Sequence, residues 1–156
     1  MKPKRFNFDT SPSQSARMKK ISSKDTGCEM VLRKMLWQTG ARYRLHAKDL
    51  PGKPDIIFKG LKLVIFIDGD FWHGFNWEKR KPGIKANREY WIKKIEGNIA
   101  RDVIINGKLK TLGFTVLRFW EHDVLSRPQV CIQKVMKQLR KRLSANKPNA
   151  MKITKI

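Results

Sequence analysis

Asp55-Ile56-Ile57-Phe58-Lys59-Gly60-Leu61-Lys62-Leu63-Val64-Ile65-Phe66-Ile67-Asp68-Gly69 is the stretch on which the reading of the fold turns. Two short runs of β-branched and large apolar residues are separated by Lys59-Gly60, and the turn-rich Leu50-Pro51-Gly52-Lys53-Pro54 leads into the first of them. This pattern predicts a β-hairpin, with strands over residues 55–58 and 61–67. The second run is almost continuously apolar rather than alternating, which predicts a strand covered on both faces. A hairpin of this kind brings Asp55, at the start of one strand, and Asp68, at the end of the next, to the same edge of the sheet.

On the N-terminal side, Cys28, Val31, Leu32, Met35 and Leu36 recur at helical spacing, with Asp25 available as a cap and Gly40 as the stop. A short extended piece over residues 42–45 joins this helix to the hairpin. On the C-terminal side a helix is expected over residues 87–112, with Tyr90, Trp91, Ile95, Ile99 and Val103 as its inner stripe and Gly113 closing it. A strand over 115–120 follows, and Pro128 opens a last helix reaching about residue 143. A hairpin followed by helix, strand and helix indicates an α/β layer around a mixed sheet. Residues 1–20 read as a flexible basic arm, 21–145 as the folded domain, and 146–156 as a basic tail.

Composition narrows the partner. The 156 residues include 35 Lys and Arg against 13 Asp and Glu, a net charge of +22. A field of that size is best screened by a polyanion, and nucleic acid is the expected one. From Lys134 to Ile156 there are eight basic residues and no acid, a pattern that alone would suit a merely solvated tail. Neither an apolar stretch of membrane-spanning length nor a lipidation signal is visible, and the start lacks the apolar segment of a secretory signal, so a cytoplasmic protein is expected. Cys28 and Cys131 stand far apart in no metal-like spacing and read as free buried thiols.

Carboxylates beside an imidazole in a basic chain suggest metal-assisted cutting of a phosphodiester. A divalent cation offsets charge on the phosphate while a nearby group takes a proton from water. Asp55 and Asp68 offer hard oxygen ligands of the kind magnesium prefers. An isolated Pro-Asp or Asp-Gly is ordinarily just a turn; the placement of these two on adjacent strands is what favours a shared cation. His73, five residues after Asp68 on an expected loop, suits general-base work near neutral pH. Phe71 and Trp72 beside it are either core plugs or a wedge pushed between base pairs. Two neighbours on a loop do not both turn inward easily, which favours an outward use for at least one.

Taken together, Pro54-Asp55, Phe66-Ile67-Asp68-Gly69-Asp70-Phe71-Trp72-His73-Gly74, Asn98-Ile99-Ala100-Arg101-Asp102 and Val116-Leu117-Arg118-Phe119-Trp120-Glu121-His122 resemble, in this order, the very-short-patch-repair (Vsr) DNA mismatch endonucleases. The resemblance runs from about Met18 to Leu143. It implies a restriction-endonuclease-like α/β fold, a magnesium cofactor, double-stranded DNA as partner, and nicking of one strand beside T·G mismatches. It also implies that Asp55 binds the metal, that His73 is the catalytic histidine, that Phe71 and Trp72 intercalate, and that Glu29 and Asp102 belong to the site. Met18, Lys19 and Lys20 of the basic approach, and Arg101, are expected to contact DNA.

Three departures from the family pattern matter. Ile67-Asp68 replaces a Thr-His pair of the enzyme that defines the family, so Ile67 is expected to offer the metal its backbone while Asp68 becomes a second carboxylate ligand. Asp70 stands at a cysteine position and only His122 remains near a zinc-ligand position, so no zinc is expected, with Phe75 and Trp77 packing in its place. The loop from Trp77 to Ile84 has its own composition, so mismatch preference does not transfer with the resemblance. The rival readings are a restriction or homing endonuclease cutting intact duplex, and a DNA-binding module without catalysis. The sequence leaves open which repair proteins it meets.

Overall fold

A computed structural model describes residues 11–13, 16 and 26–146. Asp25, Met18, Lys19 and Lys20, and nearly all of the arm and tail, lie outside the described residues. The chain runs α1 (Gly27–Gln38), β1 (Arg44–Leu45), β2 (Ile56–Phe58), β3 (Leu63–Asp68), α2 (Trp77–Arg80), α3 (Arg88–Thr111), β4 (Thr115–Trp120), α4 (Glu121–Ser126) and α5 (Pro128–Asn146).

The strands form one mixed sheet in the order β1-β2-β3-β4. The hairpin of β2 and β3 is antiparallel, as expected, and a single helical turn over Lys59–Leu61 with Lys62 in the left-handed region joins the two. β4 returns through α3 to pair parallel with β3, from Leu63 opposite Thr115 to Asp68 opposite Trp120. β3 is buried along nearly its whole length, which is why it lacks alternation.

Each face of the sheet has its own cover. Ile56, Phe58, Leu63, Ile65 and Phe119 point to one side, against Leu32 and Leu36 of α1, Val124 of α4, and Ile132, Val135 and Leu139 of α5. Ile57, Val64 and Phe66 point to the other, against Leu109 of α3 and Phe114, with Ile105 and Val116 at the margin. Cys28 and Cys131 are buried free thiols in the first of these cores. Among the described residues no helix is long and apolar enough to cross a membrane.

Three details differ from the sequence reading. Thr26 occupies the cap of α1, its hydroxyl accepting from the Glu29 N–H and donating to the Glu29 carboxylate at 3.1 Å. A separate helix, α4, follows β4 directly, with Glu121 and Asp123 in a first turn where negative charge favours the helix dipole. The inner stripe of α3 is the third. Ile95 and Leu109 are fully buried, whereas Val103, assigned to the stripe, is 67% exposed. The inward line runs instead through buried Ile95, Asn98 and Leu109 and half-buried Asp102 and Asn106, because the face turned to the sheet carries polar groups that line the cleft or bond to its residues.

This assignment separates two apolar residues on one helix. Ile95→Ala is expected to lower stability by about 2–5 kcal/mol, whereas Val103→Asp should change it by no more than about 0.5 kcal/mol, both read from urea unfolding.

Candidate active site

The sheet edge where β2 begins and β3 ends opens into a cleft of about 900 Å³, lined among others by Glu29, Asp55, Ile67, Asp68, Trp72, His73, Arg101 and Asp102. Residues spread over seventy positions of sequence thus meet in one place. Lys48, Lys53, Arg118 and Glu121 join them on its walls.

Asp55 sits just before β2, its own N–H donating to the Ile65 carbonyl. Its carboxylate accepts from the Ile67 N–H at 2.8 Å, which fixes it beside the main chain of β3. Burial, with Glu29 and Asp68 nearby, pushes its pKa up to about 6 despite that hydrogen bond. Glu29 is itself buried, held in the first turn of α1 by Thr26 and by Arg33 at 2.6 Å. A half-desolvated carboxylate crowded by two others is a place where a cation is welcome. Among the described residues, no three His, Cys, Asp or Glu side chains converge as a metal cage. Carboxylate oxygens are hard donors of the kind a divalent cation accepts.

His73 lies on the tight loop after β3. The His73 N–H donates to the Gly69 carbonyl and the Phe75 N–H to that of Asp70. Gly74 has φ +69, and a Cβ there would come within 2.6 Å of Ile99, so only glycine lets this loop rest on α3. Asn98 of α3 donates to the Trp72 carbonyl at 2.9 Å and pins the loop from the other side. The His73 Nδ1 is 2.6 Å from Asp102 Oδ2. Because an ionised carboxylate only accepts, this nitrogen carries the proton and Nε2 is the one left to act as a base. Burial works against the Asp102 charge, but the His73 hydrogen bond and the Arg118 guanidinium outweigh it and hold the carboxyl below the usual carboxylate range.

Arg118 is a site residue that the sequence reading passed over. From β4 it donates through Nε and Nη2 to the two oxygens of Asp68, each at 2.7 Å, and through Nη1 to Asn106 at 3.0 Å. Its Nη2 is also 3.0 Å from Asp102. Both Asp68 oxygens are thus engaged by one guanidinium. The available signal was a charged residue in the middle of the apolar strand Val116-Leu117-Arg118-Phe119-Trp120, a position that demands a partner.

Phe71, Trp72 and Trp91 form a mutually edge-on cluster with ring centroids 5.3 to 5.6 Å apart, and Tyr90 stacks edge-on against Trp91. Phe71 is 38% exposed, while Trp72 is half-buried and lines the cleft. Arg101 is exposed and donates to Asn98 at 3.0 Å. At the position of the family's zinc ligands, His122 Nδ1 lies 2.8 Å from Asp70, and Phe75 packs on His122 and Trp120. Trp77 turns away instead to donate to Glu96.

Comparison with known proteins places this geometry. The model of the DNA mismatch endonuclease Vsr family matches residues 7–79. Type II nicking enzyme V.NmeDIP of Neisseria meningitidis serogroup C is 46% identical over 130 residues, 83% of this chain and 88% of that protein. The chain belongs to the Vsr endonuclease family. Type II nicking enzyme V.HpaIIP of Haemophilus parainfluenzae is 43% identical over 133 residues, covering 84% of this chain and 94% of that protein. DNA mismatch endonuclease Vsr of Escherichia coli K12 is 32% identical over 128 residues, 81% of each chain. This Vsr-family protein is therefore a DNA endonuclease, and the module without catalysis is set aside.

The raised Asp55 gives a stability prediction with a definite sign. Its folded pKa, about 6, exceeds the ordinary 3.8, so the folded state favours its protonated form. The metal-free protein should gain stability as pH falls through about 6 and lose that gain as pH rises through it. Asp55→Asn removes the burden, so at pH 8 without divalent metal the variant should melt higher than the wild type, and the two melting temperatures should converge toward pH 4. A lower melting temperature for the variant at pH 8 would contradict this electrostatic account.

Proposed function

We propose that this Vsr-family endonuclease nicks one strand of duplex DNA at or near a T·G mismatch with magnesium as its cofactor, on a restriction-endonuclease-like fold. The observation that carries the reading is the crowded, half-desolvated Asp55 lying in one cleft with a His73–Asp102 pair, in a chain of net charge +22.

In this mechanism Asp55, with the backbone of Ile67, would hold the magnesium ion. Bound there, the cation supplies charge neutralisation at the attacked phosphate. Asp102 keeps the His73 proton on Nδ1, so that Nε2 accepts a proton from the attacking water. Glu29, fixed by Thr26 and Arg33, stands across the cleft where it orients water near Asp55. The Phe71–Trp72–Trp91 cluster supports a wedge that unstacks a base step, at about a few kcal/mol that the surrounding contacts must offset. Arg101, with Met18, Lys19 and Lys20 of the arm and the basic face of α5, contacts the phosphate backbone. The mismatch assignment draws support from these aromatics at the cleft and from the relative named a DNA mismatch endonuclease. The nicking assignment draws support from the relatives named nicking enzymes.

Two labelled duplexes that differ only by one T·G mismatch, incubated with magnesium, test the reading. The expected result is one nicked strand in the mismatched duplex alone, with loss of activity in Asp55→Ala. Equal cutting of both duplexes would instead favour the restriction or homing reading. Binding should weaken steeply with salt, by about 10³-fold or more between 50 and 200 mM if six or more phosphates are contacted.

A further inference from the structure

The Asp68–Arg118 pair is left over once the metal and the proton acceptor are assigned. β3 and β4 run parallel with Phe66 opposite Arg118, so alternation along both strands turns Asp68 and Arg118 to the α3 face. There Asp102 and Asn106, one helical turn apart, meet the guanidinium. The guanidinium also lies over the Phe66 ring, its central carbon 4.4 Å from the centroid. Asp68 is 5% exposed and Arg118 is half-buried beside it on the cleft wall. Asp102 divides its oxygens, Oδ1 toward Arg118 and Oδ2 toward His73. Rotation of the carboxylate would break one contact or the other.

We propose that Asp68 and Arg118 are a paired positioning unit, in which the forked guanidinium anchored by Asp68 fixes the Asp102 carboxylate and thereby the orientation and tautomer of His73. Both act through the histidine, since Asp68 Oδ1 also lies 3.7 Å from His73 Nδ1. The unit replaces, with an internal ion pair, the metal-side role expected for Asp68, and it rests on the reading of His73 as proton acceptor. A fork is required because the same group must meet two carboxylates and an amide at fixed angles, which the point charge of lysine does not reproduce.

The test uses the full-length protein with Asp68→Asn, Arg118→Met, Arg118→Lys and the double variant Asp68→Asn/Arg118→Met. With folding checked by circular dichroism and melting, each single variant should lower kcat by about ten- to a hundredfold. The DNA dissociation constant and the half-saturating Mn²⁺ concentration should each stay within about threefold, small beside that loss in kcat. The double variant should be no worse than the poorer single one, and Arg118→Lys should not restore the rate. Ring-nitrogen NMR supplies a readout independent of turnover, since His46, His73 and His122 are the only histidines. The His73 Nδ1–H signal should be sharp in the wild type and broaden or shift in the variants.

A rise of more than tenfold in the Mn²⁺ requirement of Asp68→Asn would make Asp68 a metal ligand and overturn the proposal. Unchanged kcat with an unchanged His73 signal would overturn it too, as would additive losses in the double variant. Asp68→Asn is nearly isosteric and carries the test if Arg118→Met does not fold; failure of both to fold would make the pair a core strut and nothing more. His73→Ala, measured alongside, separates the two layers. Wild-type nicking by that variant would sink the proton-acceptor reading, while the NMR signal still reports whether the strut orients the ring.

Discussion

The parallel pairing of β3 with β4 is the constraint from which the site follows. Its register sets Asp68 opposite Trp120 and leaves Arg118 opposite Phe66. Because strand side chains alternate with a period of two, a slip of β4 by one residue would turn Arg118 into the apolar core under α1 and α5 and leave Asp68 without its partner on the α3 face. Each charge would then be buried unpaired, at a penalty of several kcal/mol per ion. Register and ion pair therefore enforce one another. β3 delivers its carboxylate to the α3 face only in the pairing that also brings the arginine there.

Function shapes the packing of α3 in return. A 24-residue helix covering a sheet would ordinarily turn its most apolar stripe inward. Here the inward line alternates Ile95 and Leu109 with Asn98, Asp102 and Asn106, while Val103 and Ile104 face solvent. Each inward polar group has work. Asn98 holds the Trp72 carbonyl, Asp102 joins His73 to Arg118, and Asn106 completes the guanidinium's contacts. Burying a polar group is tolerable when its hydrogen bonds are made, and these are. The helix is thus scaffold and site wall together, less apolar inside than a pure scaffold would be.

The loop between β3 and α2 shows how a few local rules aim a side chain. Gly74 permits close approach to α3, Asn98 ties the loop down, and the Asp70–His122 contact secures its far side with Phe75 packed alongside. His73 is presented to the cleft from a short segment held at three points. The same tethering holds Phe71 and Trp72 against Trp91 of α3, so the aromatic cluster and the histidine share one support.

Much of this was legible in the chain itself. The two apolar runs around Lys59-Gly60 determined the hairpin, and β4 was read at its observed limits, because short-range periodicity and turn residues are local signals. The meeting of Asp55 and Asp68 near one sheet edge followed from the hairpin connection. Glu29 and Asp102 carried no local signal and entered only through resemblance, since a lone acid on a helix looks solvated until its partners are known. What tertiary structure alone decided was the direction of the charges: that Asp68 spends both oxygens on Arg118, that Arg118 reaches Asp102, and that α3 turns its polar line inward. Those choices depend on strand register and helix rotation, set by contacts between residues 50 or more positions apart, and no local pattern encodes them.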